Sequence, residues 1–241
     1  MKRIRMIVWF ALFWTSLVVT YPSIFRAKYY HYKSKFDKRE KFANLFVFYL
    51  AKIMFYLSGS RLKLTGVENI PLDRSVVFVS NHQGHMDSII IQGFIKKPKG
   101  FVSIKEFEKV PILGAWMKYM GSVFIDRGNS RQSLECMNQA VENLDRGLSM
   151  VVFPEGKFND GEETLKFEKG WLRMAIKSGA PIVPITISNS YKILSYNGKS
   201  LGPARVDCIV SKPIETGNIR REDEKEFLIK LRSIIHGKLI V

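Results

Sequence analysis

Cysteine is almost missing from this sequence. Among 241 residues only Cys136 and Cys208 carry thiols, and each stands alone, so the chain offers neither a disulfide framework nor a thiolate metal site. Acidic residues are scarce against basic ones, 22 against 38, which leaves a formal net charge of +16. No apolar run reaches the roughly 20 residues that a membrane-spanning helix needs. Internal repeats and low-complexity segments are absent as well. A hydrophobic content of 46% excludes disorder as the default state. Familiar nucleic-acid-binding motifs are also lacking, so nucleic acid is not the partner that the basic charge points to.

The charge that is present is unevenly placed. Residues 1–66 hold 13 Lys and Arg against Asp37 and Glu40, and the same segment carries 16 of the 30 aromatic side chains. Basic charge mixed with Trp9, Trp14, Tyr29, Tyr30, Tyr32 and Phe48 beside apolar runs describes a membrane interface better than a nucleic-acid groove. One run extends from Met6 to Tyr21, broken only by Thr15, Ser16 and Thr20, and lacks a small-residue cleavage site, so it reads as retained. A second, Phe42 to Leu57, puts Phe42, Leu45, Phe46, Tyr49, Leu50, Ile53, Met54 and Leu57 on one helical face. Helices of this length would be about 24 Å long, short of the roughly 30 Å hydrocarbon layer. Joined by the basic linker Pro22–Lys41, they are expected to form a two-helix anchor over residues 1–58. Such an anchor would dip into one leaflet from the cytoplasmic face, a monotopic attachment to the cell membrane.

From Arg61 the pattern changes to short β-type runs alternating with helical ones, which predicts an α/β domain over residues 59–241 with a mixed, largely parallel sheet and flanking helices. Candidate strands are Arg61–Thr65, Ser75–Ser80, Phe101–Ile104, Ser122–Ile125, Met150–Phe153, Ile182–Ile187 and Arg205–Val210. One helix should begin near Ser130, bury Leu134, Met137, Val141 and Leu144, and stop at Gly147; another should run from about Arg221 to His236.

Two of the four histidines fall in one short stretch, Asn81-His82-Gln83-Gly84-His85-Met86-Asp87, between a buried strand and an apolar helix start. A histidine titrates near neutrality, and an aspartate folded back onto one ring nitrogen leaves the other free to accept a proton. His82, His85 and Asp87 are also three conceivable metal ligands, but a loop rather than a helix carries them and no thiolate completes the set, so no metal is expected. Three further stretches follow strands: Gly121 to Arg127 ends in an acid and an arginine suited to a phosphate, Phe153-Pro154-Glu155-Gly156 follows the next strand, and Pro181 to Ile187 supplies a proline-bearing one.

These four stretches, in this order, resemble the blocks of the glycerolipid acyltransferase family that includes the lysophosphatidate acyltransferases. The blocks are His-x4-Asp (His82, Asp87), Gly-x-x-Phe-Ile-Asp-Arg (Gly121 to Arg127), Phe-Pro-Glu-Gly (Phe153 to Gly156) and the proline block (Val183-Pro184-Ile185). The resemblance implies an enzyme that moves a fatty acyl group from acyl-CoA or acyl carrier protein, as substrate rather than cofactor, to the free hydroxyl of lysophosphatidate. It implies His82 as base, Asp87 as its partner, Arg127 and Lys105 as phosphate ligands, and Glu155 and Gly156 as part of the acceptor site. The third block departs from the family, which continues Thr-Arg-Ser where this chain reads Lys157-Phe158-Asn159. Lys157 is left to supply the missing charge, without the two-pronged grip of a guanidinium. Acylation of another lysolipid or of glycerol 3-phosphate is the neighbouring reading, and a non-enzymatic basic membrane-binding protein the distant one. A hydrolase triad can also be written from the Gly198-Lys-Ser200-Leu-Gly202 stretch with Asp207 and His236. Pro203 and the strand-like Arg205–Val210 follow that serine where a helix is required, so the stretch reads as a hairpin loop.

Overall fold

The protein is described by a computed structural model covering residues 2–159, 166–194 and 200–240. Its N-terminal part is three helices rather than two helices and a linker: α1 (Lys2–Val19), α2 (Tyr21–Tyr32) and α3 (Phe36–Leu57). Pro22 lies in the first turn of α2, where its missing N–H costs nothing, and from there it ends α1 without preventing a new helix. The expected linker is therefore mostly helical, and only the turn around Ser34, whose φ is +52°, separates α2 from α3. Among the described residues no single helix is long and apolar enough to cross a membrane; only α1 and α2 together, bent by 46°, reach that length.

The face of α3 that lies inward is not the apolar stripe picked out by the periodicity. It buries Arg39, Glu40, Ala43, Asn44, Ala51, Met54 and Phe55, while Leu45, Tyr49, Ile53 and Leu57 are exposed. Small and polar side chains face inward because α3 lies close against the next helix, α4 (Met86–Phe94). A Cβ added at Gly93 would sit 2.8 Å from the Lys52 backbone nitrogen, so only glycine allows that approach. The buried polar groups have partners that tie the helix to the rest of the chain. Asn44 donates to Met120 O at 3.3 Å and accepts from Lys99 N at 2.9 Å, and Glu40 takes Arg39 at 2.8 Å and Arg146 at 3.4 Å. Trp9 of α1 donates its indole N–H to Met54 O at 2.9 Å.

The seven expected strands all form: β1 (Arg61–Thr65), β2 (Val77–Ser80), β3 (Lys99–Ile104), β4 (Val123–Ile125), β5 (Ser149–Val152), β6 (Ile182–Ser188) and β7 (Arg205–Val210). They make one sheet in the order β1-β7-β6-β2-β5-β3-β4. Every neighbouring pair is parallel except β6 and β7. The central strands β2, β5 and β6 are buried along their whole length, which is why they read as continuous apolar runs rather than alternating ones. One face of the sheet carries α1, α3, α4 and α5 (Leu113–Tyr119), whose buried side chains join a single cluster including Trp9, Met54, Phe55, Ile90, Ile91 and Trp116. The opposite face is covered by α6 (Ser130–Asp145), α7 (Leu172–Ser178) and α8 (Glu224–His236). Asn129 caps α6 by accepting from Gln132 N at 3.1 Å, and Gly147 follows its end with φ +89°. On α6, Met137 and Leu144 are buried as expected; Leu134 is exposed, and Cys136 and Ala140 take the inward place.

Candidate active site

In a sheet whose strands run parallel, the loops that leave their C-terminal ends meet along one edge, the usual place for a ligand in open α/β sheets. Here the loops after β2, β3, β4, β5 and β6 bring His82, Lys105, Arg127, Glu155 and Ser190 to that edge. Four of those five residues were candidates from the sequence.

His82 and Asp87 pair as expected. His82 Nδ1 lies 2.8 Å from Asp87 Oδ2, and Asp87, in the first turn of α4, is fully buried. The same oxygen accepts from the backbone N–H groups of Gln83 at 2.6 Å and Gly84 at 2.9 Å, so the loop wraps around the carboxylate. Such donors leave Oδ2 as an acceptor for the Nδ1 proton and assign the lone pair to Nε2. Nε2 has no hydrogen-bond partner among the described residues. Phe153 stacks flat on the imidazole with ring centroids 3.9 Å apart, and Phe158 meets it edge-on at 4.4 Å. The ring's orientation is thus set from three sides. His85 packs its ring against the same Phe158 at 4.6 Å, and burial, together with nearby His82, lowers its pKa. Among the described residues no three His, Cys, Asp or Glu side chains gather as metal ligands.

The third block holds the histidine loop in place. Glu155, itself buried, accepts from His82 N at 3.0 Å with one oxygen and from Asn159 Nδ2 at 2.9 Å with the other, while Asn159 N donates to His82 O at 2.9 Å. Gly156 has φ +69° and turns its carbonyl to Arg127, whose guanidinium donates to it. A Cβ at Gly156 would lie 3.2 Å from that guanidinium. Arg127 is exposed, and Lys105 is half-exposed and paired with Asp126 at 3.2 Å. A cavity of about 330 Å³ lies between Ile104, Ile125, Arg127 and Gly156, and an adjoining one of about 190 Å³ lies beside Lys105, Lys109 and Asp126. Lys157 is exposed in the turn after Gly156.

Several residues of this site had no sequence signal strong enough to single them out. Phe153 was visible only as part of its block. Phe158, Asn159 and Ser190 act through contacts between loops that lie 70 to 107 positions apart in the chain. The hydrolase alternative is not formed: Ser200 precedes an extended segment leading into β7, and Leu194 and Leu201 pair as an antiparallel bridge in keeping with a hairpin loop, while Gly198 lies outside the described residues.

Comparison with known proteins agrees with this geometry. A family model described as Acyltransferase matches residues 61–188, which hold all four blocks. The 1-acyl-sn-glycerol-3-phosphate acyltransferase of Borreliella burgdorferi is 32% identical over 139 residues, covering 58% of this chain and 56% of that protein. The chloroplastic 1-acyl-sn-glycerol-3-phosphate acyltransferase LPAT1 of Arabidopsis thaliana is 33% identical over 178 residues, 73% of this chain and 49% of that protein. The chain thus spans about half the length of these two relatives. The crystal structure of the 1-acyl-sn-glycerophosphate (LPA) acyltransferase PlsC from Thermotoga maritima superposes with a TM-score of 0.78 at 26% identity, covering 98% of this chain and 95% of that one. With more than half of its length matched by the family model, over the residues that hold the four blocks, this chain belongs to the acyltransferase family.

Proposed function

We propose that this chain transfers a fatty acyl group from a thioester, acyl-CoA or acyl carrier protein, to the free hydroxyl of lysophosphatidate, forming phosphatidate. The observation that carries this reading is the His82–Asp87 pair, held at the open edge of the sheet with Nε2 unengaged by any described residue. In the reaction Nε2 takes the proton of the acceptor hydroxyl as its oxygen forms a bond to the thioester carbonyl carbon. Asp87 fixes the tautomer and stabilises the imidazolium. The tetrahedral intermediate then collapses, the carbon–sulfur bond breaks, and the departing thiolate takes the proton back from Nε2. No covalent acyl-enzyme is needed, and neither free cysteine is suited to form one: burial pushes both thiols up to about 12.

Arg127 is assigned to the acceptor's phosphate, with Lys105 and Lys157 adding charge. Its guanidinium spends one donor on Gly156 O and keeps others facing the cavity. Glu155 and Gly156 shape the acceptor side of the site by fixing the His82 loop and by presenting that carbonyl. Residues 1–58 attach the enzyme to the cytoplasmic face of the membrane, and residues 59–241 carry the chemistry. The support for attachment is the exposed apolar surface of α1 to α3, which includes Ile7, Trp14, Phe25, Leu45 and Ile53.

The test is to offer the purified full-length protein both donor types with lysophosphatidate, monoacylglycerol, glycerol 3-phosphate and a lysophosphatidylcholine. Phosphatidate formed from lysophosphatidate in large excess over every other product is the expected result. Equal use of monoacylglycerol would overturn the phosphate assignment.

A further inference from the structure

Asp87 is fully buried, and a carboxylate in such a place needs donors on both oxygens. Oδ2 has three: Gln83 N, Gly84 N and His82 Nδ1. Oδ1 has one among the described residues, the hydroxyl of Ser190. Ser190 is itself fully buried, and it lies 103 positions away, in the turn that follows β6. Its hydroxyl also lies 3.3 Å from Gln83 Oε1, but a hydroxyl carries a single proton, and the charged acceptor makes the stronger bond. Gln83 Oε1 is served instead by Ser190 N at 3.2 Å.

Local structure brings Ser190 there. Asn81, the residue before His82, reaches across from the end of β2 and bonds the backbone of Ile187 twice, donating to its carbonyl and accepting from its N–H, each at 2.8 Å. This side-chain clamp extends the β2–β6 ladder past Ser80–Ile185, the last backbone pair. Asn189 then takes a left-handed conformation, φ +68°, which folds the chain back over the histidine loop so that Gly84 faces Tyr191. Asn tolerates that conformation better than most residues.

We infer that Ser190 is a positioning residue for acyl transfer: its hydroxyl locks Oδ1 of Asp87, so that Oδ2 stays aimed at His82 Nδ1, and Asn81 sets the strand register that delivers it. Without the Ser190 hydroxyl, the carboxylate is held through one oxygen only and can rotate about its Cβ–Cγ bond. The base then loses its fixed orientation. The inference gives the strand of the proline block a mechanical role, as the carrier of the third group in a Ser190–Asp87–His82 chain. Other ionisable groups facing this chain are His85 from the same loop, Glu155 from the turn after β5, and Cys208 from β7, whose thiol burial and the Asp87 charge push up to about 12.

This assignment rests on the acyltransfer reading of His82, so its test carries one measurement that needs no turnover. In Ser190→Ala, kcat should fall roughly 10- to 100-fold, the range for losing a hydrogen bond to a charged group, with KM for both substrates within about twofold and the protein still folded, though less heat-stable because Oδ1 is left without its donor. In an Asp87→Asn background the same substitution should cost less than about threefold, because the two act as one unit. A downfield proton resonance of His82 Nδ1–H is expected in the wild type from its 2.8 Å bond to Asp87, and it should weaken or move upfield in Ser190→Ala. A folded Ser190→Ala protein with unchanged kcat and resonance would overturn the inference, as would a loss of equal size in the Asp87→Asn background. Wild-type protein that forms no phosphatidate would sink the function instead, and the His82 resonance would still decide the role of Ser190.

Discussion

The two parts of this molecule present opposite surfaces to their surroundings. Seventeen of the twenty-three exposed large hydrophobic side chains among the described residues lie in α1 to α3, and six lie in all that follows. Within α3 the contrast can be read over three positions: Phe55 is 0% exposed and part of the core, while Ile53 is 55% exposed. The inward side of these helices is built like the interior of the α/β part and is continuous with it, through Trp9, Met54 and Phe55. The outward side is apolar as well. An apolar outer side is favourable only where it meets something apolar, whereas the outer sides of α6 and α8, mostly polar with only Leu134 and Ile229 as large exposed apolar side chains, suit water. The proposed chemistry sits elsewhere, on the sheet's C-terminal edge, so the proposed attachment and catalysis should be separable by mutation although they share a core.

The largest effect is expected at the chemical site. His82→Ala should abolish transfer, and Asp87→Asn should lose roughly 10²- to 10⁴-fold, with folding and vesicle binding unchanged. His85→Ala should be far milder, under about tenfold, because its ring packs on Phe158 and bonds no carboxylate among the described residues. Steady-state rates and vesicle flotation on the same preparations check this. A His85→Ala variant as damaged as His82→Ala would revive a metal at this loop.

The next test sets neighbouring positions of α3 against each other. Phe55→Ala removes a fully buried ring and should cost about 3–5 kcal/mol in denaturant unfolding, whereas Ile53→Asn should stay within about 0.5 kcal/mol. Vesicle affinity should show the reverse order. The shared core also means that deleting residues 1–58 would uncover α4, so point changes are the sharper tool.

Arg127→Ala should raise KM for lysophosphatidate by roughly tenfold and leave the thioester KM unchanged. The effect is kept modest because the side chain is exposed. Lys157→Ala should do less, since a mobile ammonium in an exposed turn acts only as a point charge.

A separate effect, read in stability against pH rather than in activity, concerns Lys99, which joins the two parts from the inside. It is buried without a carboxylate partner among the described residues, its Nζ donating to Ile95 O at 2.7 Å and Lys97 O at 3.0 Å, and burial lowers its pKa to about 7. Below that value both folded and unfolded chains hold the proton, and the buried charge costs stability in full. Between about 7 and its ordinary 10.5 the unfolded chain binds more protons, so Lys99 contributes a rise in stability with pH over that window. Lys99→Met should flatten the rise, as measured by denaturant midpoints across the window relative to wild type.

The contrast between the two parts also sorts what could be read from the sequence. In the α/β part, β1 and β7 fall at the expected residues and the other five strands within one or two, because buried parallel strands are apolar runs ended by glycine, proline or polar residues. The His82–Asp87 pair was legible because its members are five residues apart in one turn. In α3 the periodicity picked out an apolar face without saying which side lies inward, since apolar side chains there serve two surroundings and hydrophobicity alone does not say which is which. The helix over Tyr21–Tyr32 was hidden by Pro22, which reads as a break and acts as a start. Ser190 and Asn159 were silent for another reason: a polar residue in a loop gives no sign of its partner until the strand order sets two loops side by side.

The most direct measurement of this account uses two variants and two forms of one acceptor. His82→Ala and Leu45→Glu/Tyr49→Glu/Ile53→Glu are assayed for phosphatidate formation with lysophosphatidate carried in vesicles and with a short-chain, water-soluble lysophosphatidate. The helix variant should lose the vesicle reaction and keep the soluble one, while His82→Ala should float with the vesicles and perform neither. A folded helix variant that keeps the vesicle reaction, or a His82→Ala protein that still makes phosphatidate from the soluble acceptor, would contradict it.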